Sequence, residues 1–364
     1  MYRIKIFGAG SIGNHLAYAC RFKNWEVTIC DQDSRALERT KTMIYPTRYG
    51  KWDEDIKLIN SKEKDYTKYD LVIIGTPPNS HADIAMELLK QNPPRIIQIE
   101  KPALTPNLDN AMELFNLSKK TGTSIYVGYN HTLTNNTKKA EEILSEGIIG
   151  SPLTITSMTR EHWGGIFSAH PWLKGPEDTY LGYSEKGGGA CCEHSHAINI
   201  WQHFARYLNL GKIAKVSALL NFVKAGKAEY DDLCFINVVT DKGIAGNIIQ
   251  DVVTTPTRKE LRIQGDKGFL EWHVNYKEGS DAIIFGDSKN KKEIIINKTR
   301  PDDFKVEIEH FEKLLNGENI QDSPISFERG LETMMVIAAS FISNKLKKEV
   351  SIDYSKGYSL SAIN

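Results

Sequence analysis

A stretch from Gly187 to Phe204, GGGACCEHSHAINIWQHF, concentrates the residues of this chain that could carry out chemistry. It contains three glycines, two cysteines, one glutamate and three histidines. Such a set could bind zinc, which takes several nitrogen, sulfur or carboxylate ligands. It could equally bring one titratable side chain to a substrate for acid–base catalysis. His196 suits the second use, because the glycines before it allow backbone to approach a ligand and an imidazole titrates near neutral pH.

The zinc hypothesis draws its support from spacing, since Glu193 and His196 would share one face of a helix. The chain has no H-E-x-x-H sequence and no C-x-x-C pair, however. Cys191 and Cys192 are adjacent and therefore point apart in most backbones. We expect no bound metal, and a zinc hydrolase stays as an alternative class.

The N-terminal residues predict the elements of a dinucleotide site. A short apolar strand is followed by GAGSIG, where glycines allow a tight turn, close approach of backbone to a pyrophosphate, and packing of helix on strand. The predicted cofactor contacts of this turn are Gly8, Gly10, Ser11, Ile12 and Gly13. A second strand ends in Asp31, whose carboxylate can accept hydrogen bonds from ribose hydroxyls and repels a 2′-phosphate. The pattern favours NAD over NADP although Arg35 lies nearby; alternatively, Asp31 is a turn or N-cap residue.

Two further apolar runs, YDLVIIG and RIIQI, are typical of parallel strands buried on both faces. Ligands of such sheets bind beyond the carboxyl ends of the strands, so the residues that follow should face the cofactor. These residues are Thr76, Pro77, Pro78, Asn79 and His81 after the first run, and Glu100 and Lys101 after the second. Lys101 would be a cation at the nicotinamide end, whereas an arbitrary lysine is more often solvated on a surface.

The second half of the chain changes to β-rich stretches separated by turn signals such as DKG and GDKG, which predicts antiparallel hairpins. Helices are expected at about residues 195–207, 302–315 and 328–347. A long looped segment precedes the histidine cluster, and its aromatic and basic residues suit sugar rings or anionic groups, or else anchor the loop. The predicted substrate contacts there are Arg160, Trp163, Trp172 and Tyr180.

Composition narrows the classes of function. Basic and acidic residues both number 46, so no net field favours nucleic acid or an anionic membrane. The chain shows no leader pattern and no apolar stretch of about 20 residues, and its five cysteines are scattered. We therefore expect a cytoplasmic protein without disulfides. A sheet covered by helices on one face further predicts a homodimer or homotetramer.

Four segments, GAGSIG, GTPPNSHADIAMELL, IEKP and GGGACCEHSH, resemble in order and spacing the glucose-fructose oxidoreductase and inositol dehydrogenase family, the Gfo/Idh/MocA group. The resemblance covers most of the chain. It implies an α/β Rossmann domain with a doubly wound parallel sheet, predicted over residues 1–128. It also implies an α+β domain with a large, mostly antiparallel open sheet over residues 129–364, whose last helix could pack back on the first domain.

The resemblance also implies roles for individual residues. The family's EKP lysine, which contacts substrate and cofactor, is matched by Lys101, and its proton-accepting histidine by His196. Glu193 holds the place of an orienting aspartate, a role that His194 could share. Asn199 stands where a carboxylate often follows, so one substrate hydrogen bond differs in kind.

The resulting hypothesis is hydride transfer between NAD and a carbinol of a sugar, cyclitol or nucleotide sugar, in either direction. His196 would act as acid or base, oriented by Glu193, while Lys101 stabilises the developing alkoxide. Alternatives within the class recycle a retained cofactor or use oxidation to enable elimination or hydrolysis. A nucleotide-sensing regulatory protein is the alternative outside it.

Overall fold

The computed structural model describes residues 1–168 and 170–364, and the strands in these residues form two sheets. The first sheet contains β1 (Arg3–Phe7), β2 (Glu26–Asp31), β3 (Lys57–Asn60), β4 (Leu71–Ile74), β5 (Ile96–Ile99) and β6 (Ser124–Val127). The second contains β7 (Pro152–Arg160), β8 (Ile213–Ala225), β9 (Ala228–Thr240), β10 (Ala245–Asp251), β11 (Arg258–Gly265), β12 (Phe269–Lys277), β13 (Ser280–Gly286), β14 (Lys291–Asn297) and β15 (Val350–Ser351).

The α-helices of the described residues are distributed along the whole chain. They are α1 (Ser11–Phe22), α2 (Ser34–Arg39), α3 (Tyr45–Tyr49), α4 (His81–Gln91), α5 (Ala111–Thr121), α6 (Asn135–Ser145), α7 (Gly164–Ser168), α8 (Gly189–Glu193), α9 (His196–Tyr207), α10 (Asp302–Leu315) and α11 (Phe327–Leu346). A π-helical turn, Thr40–Ile44, joins α2 to α3. Short 3-10 turns lie at Pro78–Ser80, Asn130–Leu133, Pro176–Asp178, Tyr180–Gly182, Ser184–Lys186, Tyr354–Lys356 and Leu360–Ala362.

Contacts divide the described chain into two compact units. The first comprises Met1–Ala103, Asn110–Asn130 and Pro301–Phe327, and the second comprises Leu104–Asp109, His131–Arg300 and Glu328–Asn364. The helix that groups with the first unit is therefore α10, whereas α11 groups with the second from Glu328 onward. The assignment of domain roles to residues 1–128 and 129–364 stays a prediction.

The first unit is a doubly wound α/β sheet. Its strands are all parallel and follow the order β3-β2-β1-β4-β5-β6. The order turns at β1, where one βαβ half meets the other, and such a point is where open α/β sheets bind nucleotides. Every residue of β4 and β5 is buried, as expected for apolar runs between two helical layers.

The second unit is built on a mostly antiparallel sheet in the order β14-β13-β12-β11-β7-β10-β9-β8-β15, with one parallel pair between β7 and β10. Side chains alternate between its faces. On β7, Ser157 faces α9 and donates a hydrogen bond from Oγ to the Ala197 carbonyl, 2.8 Å away. Trp201 of α9 likewise donates from Nε1 to the Ile155 carbonyl at 2.9 Å. The predicted fold class is therefore confirmed in both halves of the chain.

The opposite face of this sheet carries a row of apolar side chains. Met158, Ile249, Phe235 and Leu219 are register partners on four adjacent strands. Leu219 is 58% exposed and Phe235 is 38% exposed. This row contrasts with Ile155 and Ser157 of β7, which lie on the face toward α9 and are fully buried. No helix in the described part of the chain is long and apolar enough to cross a membrane.

Candidate active site

The glycine turn after β1 has the geometry that a dinucleotide requires. Gly8 has φ +103°, and a Cβ there would lie 2.6 Å from the Gly75 carbonyl oxygen. A Cβ on Gly13 would lie 2.1 Å from the Gly8 carbonyl oxygen, so α1 can pack on the strand only with glycine at this position. A Cβ on Gly10 would meet nothing within 4 Å, which leaves open space beside the turn. The N-terminus of α1, which begins with Ser11 and Ile12, thus has room for a phosphate.

Asp31 ends β2 beside this turn. Its Oδ2 accepts a hydrogen bond from the Ala9 amide at 2.8 Å, and its Oδ1 accepts one from the Asp33 amide at 2.9 Å. A carboxylate has further lone pairs, which ribose hydroxyls can use. Arg35 is turned toward Asp33 at 3.1 Å and is 89% exposed, so it is committed to a surface ion pair. The residues present therefore fit an NAD ribose.

Arg48 belongs to the same region and was not predicted from the sequence. Its guanidinium donates to the Ser11 carbonyl at 2.9 Å and to Ser11 Oγ at 2.7 Å. It reaches the start of α1 from α3, after the π-helical turn, and no motif in YPTRY signals this placement. A guanidinium beside a helix N-terminus reinforces an anion site.

The turn that follows β4 is fixed by His81. Its imidazole lies 2.7 Å from the Thr76 carbonyl oxygen and 3.2 Å from that of Ala103, so it ties together the segments after β4 and β5. Complete burial lowers the pKa of His81 to about 4. The turn itself contains the predicted cofactor contacts Thr76, Pro77, Pro78 and Asn79. His81 thus shapes this turn from within the fold.

Two carboxyl groups, those of Glu100 and Glu307, are buried beside the end of β5, just before Lys101. The amide nitrogen of Gln98 donates to Glu100 Oε1 and to Glu307 Oε1, at 2.9 Å each. Gln98 and Glu307 are fully buried, and Glu100 is 8% exposed. Burial, with the nearby charge of Glu100, raises the pKa of Glu307 well above its usual value. Glu307 therefore keeps its proton where an ordinary glutamate is ionised.

In the second unit, His196 is the first residue of α9 and is half-buried. Its ring stacks on that of His131, with centroids 4.2 Å apart and planes at 26°. His131 in turn lies against Trp272, at 5.8 Å between centroids. His131 was not predicted from the sequence, because a single histidine after β6 belongs to no recognisable pattern.

The glycines before this helix have a different use from the one expected. A Cβ on Gly188 would lie 2.3 Å from the Leu181 carbonyl oxygen, and one on Gly189 would lie 2.0 Å from Asp231 Oδ1. Gly189 also has φ +80°. At Gly188 and Gly189 the expectation of room for a ligand is therefore wrong, because protein atoms fill that space. Because Gly188 and Gly189 have no side chains, α8 can pack on buried Asp231. Burial raises the pKa of Asp231 to about 7.

Glu193 ends α8, and its Oε2 accepts a hydrogen bond from the Tyr180 hydroxyl at 3.2 Å. His194 follows it and is buried. Asn199, on α9, is also buried and donates from Nδ2 to Thr333 Oγ1 at 3.1 Å. The amide of Asn199 is thus engaged within the helical layer of the second unit.

Strand alternation separates Arg160 from the charged residues near His194. Arg160 pairs with buried Asp251 on the face opposite α9. The next residue, Glu161, pairs with Lys259 at 2.7 Å, and Lys259 shares the α9 face with Leu261. Burial opposes ionisation of Glu161, but Lys259 and His194 outweigh it and lower the pKa of this carboxyl. Glu161 and Lys259 were not selected from the sequence.

The aromatic residues of the long loop differ in burial. Trp163 is 4% exposed and packs against Tyr230, with ring centroids 4.8 Å apart, as an anchor would. Trp172 and Tyr180 are half-buried, and Trp172 meets the edge of His170. Within residues 1–168 and 170–364, no group of three or more histidine, cysteine or acidic side chains is placed to hold a metal ion.

Two models of one protein family match this chain in succession. The family's NAD-binding Rossmann-fold oxidoreductase domain matches residues 2–129, and its C-terminal domain matches residues 137–271. The chain belongs to the Gfo/Idh/MocA family. It is accordingly an NAD-binding oxidoreductase, and the predicted family, enzyme class and cofactor are confirmed.

Solved structures of other proteins share the fold over almost their full length. An aldose-aldose oxidoreductase from Caulobacter crescentus, complexed with glycerol, has a TM-score of 0.73 at 17% identity, covering 97% of this chain and 100% of that one. An Agrobacterium radiobacter oxidoreductase in complex with NAD+, L-tartaric acid and magnesium has a TM-score of 0.72 at 17% identity, covering 96% and 98%. A levoglucosan dehydrogenase complexed with NADH and L-sorbose gives the same four values. No curated protein sequence matches significantly.

Proposed function

We propose that this enzyme transfers a hydride between NAD and a carbinol of a sugar, cyclitol or nucleotide sugar. In the oxidative direction the C–H of the carbinol gives up a hydride while its O–H loses a proton. Bound NAD+ supplies the hydride acceptor at C4 of nicotinamide. The observation that carries the proposal is a half-buried histidine, His196, at the start of α9 in a family whose members bind NAD. The names of the structural relatives support the substrate class.

Within this proposal His196 takes the hydroxyl proton and Lys101 stabilises the oxygen as negative charge develops on it. Glu193 orients the site through its hydrogen bond with Tyr180. The hydrogen bond from Gln98 to Glu100 fixes the segment that leads to Lys101. The proposed reaction thus needs one proton acceptor and one cation for a single reacting hydroxyl.

We further propose that Glu161 and Lys259 contact substrate hydroxyls, together with His194, Trp172 and Tyr180. A carboxylate accepts and an ammonium donates, so the pair can bind two adjacent hydroxyls of a polyol. Arg160, Trp163 and Asn199, which the sequence analysis placed at the substrate, have the engaged or buried positions described above. Their contribution would be to hold the elements around the substrate.

The test is hydride transfer measured by NADH absorbance with a sugar panel of D-glucose, myo-inositol, levoglucosan and UDP-glucose. Oxidation of at least one compound by native enzyme, lost in His196→Ala and in Lys101→Met, is the expected result. Activity that survives in both variants would refute the assigned roles, and inactivity with the whole panel would refute the substrate class. Native mass spectrometry of the purified protein adds a second readout: NAD that survives dilution would favour cofactor recycling over release.

Assembly and compartment belong to the same proposal. The apolar row of Met158, Ile249, Phe235 and Leu219 gives the open sheet face a surface that a second copy could cover, as in a homodimer or homotetramer. All five cysteines are buried thiols, which suits a reducing cytoplasm. We expect Phe235→Glu to lower the oligomer mass in native mass spectrometry, and an unchanged mass would argue against this interface.

A further inference from the structure

Two histidines of the second unit form a stacked pair. The rings of His131 and His196 have centroids 4.2 Å apart and planes at 26°, which is close to parallel. Both side chains are half-buried, so the pair lies neither in the hydrophobic core nor on the fully solvated surface. His196 is the proposed proton acceptor, and α6, β7, α7 and α8 lie between His131 and His196 in sequence. The fold therefore brings a second imidazole to the first across a long separation.

Neighbouring side chains fix both the ring and the backbone carbonyl of His131. Buried Trp272 lies against its ring and donates from Nε1 to Thr137 Oγ1 at 2.9 Å. Thr137 donates in turn to the His131 carbonyl at 2.6 Å. Thr134 donates to the same carbonyl at 2.7 Å. One tryptophan and two threonines thus fix both the backbone and the ring of His131.

We propose that His131 is a positioning residue for His196, and this inference rests on the proposed function. The stack holds the His196 ring in one orientation, so that a ring nitrogen is already directed toward the substrate hydroxyl. When His196 takes the proton it becomes an imidazolium, and an aromatic face at stacking distance attracts a cation. Within this proposal His131 acts through its ring face, because two stacked rings align no N–H of one with a lone pair of the other.

Three substitutions at His131 separate these effects. His131→Phe keeps an aromatic face and should retain kcat within about threefold. His131→Ala removes it and should lower kcat on the order of tenfold with a smaller change in KM. His131→Lys places a positive charge against the imidazolium and should be slower than the alanine variant. His273→Ala is the matched control, since His273 follows Trp272 but points to the opposite face of the sheet.

The assay uses NAD+ with the sugar-panel compound that native enzyme oxidises fastest, and His196→Ala is measured beside it. If His196→Ala is fully active, the proposed function fails; if it is inactive while His131→Ala matches native enzyme, this inference alone is overturned. Histidine ring NMR gives a readout that needs no substrate. The His196 Cε1–H resonance should move in His131→Ala and stay in His273→Ala, and an unmoved resonance would refute the stacked pair.

Discussion

Replacing Glu307 by Gln tests the protonated carboxyl that lies buried in the first unit. Glu307 is fully buried on α10 and accepts a hydrogen bond from the Gln98 amide at 2.9 Å. A glutamine at this position has nearly the same shape, and its carbonyl oxygen can accept that same hydrogen bond. The substitution therefore removes a titrating proton while keeping the packing.

The expected effect is a change in how stability depends on pH. Burial, followed by the charge of Glu100, raises the folded-state pKa of Glu307 well above its unfolded value. The folded protein then holds a proton that the unfolded chain releases, so this carboxyl favours folding fully below the unfolded pKa of about 4.3. Its contribution falls by on the order of 1 kcal/mol per pH unit as the pH rises toward the folded pKa. The Glu307→Gln variant should not lose stability in this way as the pH rises.

Urea unfolding of native protein and Glu307→Gln at pH 5 and pH 6 measures the difference. The variant should gain on the order of 1 kcal/mol relative to native protein across that interval. Glu309→Gln is the control, because Glu309 is exposed on the same helix. It should follow the native curve. Equal pH slopes for native protein and Glu307→Gln would mean that Glu307 is ionised in the folded state, and the reasoning from burial would be refuted.

Other substitutions test the cofactor and substrate roles. Lys101→Met should lower kcat on the order of 100-fold while NAD binding, followed by fluorescence, stays unchanged; weaker NAD binding alone would reassign Lys101 to the cofactor. Asp31→Ser should raise kcat/KM for NADP+ relative to NAD+ on the order of tenfold, and an unchanged ratio would mean that Asp31 is only a turn residue. Lys259→Met should raise KM for the best sugar on the order of tenfold, whereas Arg258→Met, on the opposite face, should not; equal effects would contradict the alternation argument.

The elements of the fold were largely predictable because local pattern and tertiary structure agree. The run LVII is buried on both faces, so its strand appears in the sequence as continuous apolar residues. The predicted helix at residues 302–315 coincides with α10, whose apolar residues recur at helical spacing. Its grouping with the first unit has no local signal, because a helix does not encode which sheet it will cover.

The site was predicted only where a motif fixes backbone geometry. Gly8 and Gly13 could be recognised because sterically only glycine fits these positions. Arg160 was predicted as a substrate contact because a basic residue suits an anionic ligand. The face to which a strand residue points depends on register, however, which the sequence leaves open. His131 was overlooked because its partner, His196, lies in a distant segment.

The discontinuity of both units has a consequence for biosynthesis. The first unit needs Pro301–Phe327 before Gln98 has Glu307 as its second buried acceptor. The second unit needs Glu328–Asn364 to supply α11 and the edge strand β15. A ribosome therefore releases nearly all 364 residues before either unit can be completed. The nascent chain holds two incomplete cores at once, and exposed apolar strands of this kind are prone to aggregation. A truncated product that ends near residue 300 would yield neither unit in finished form.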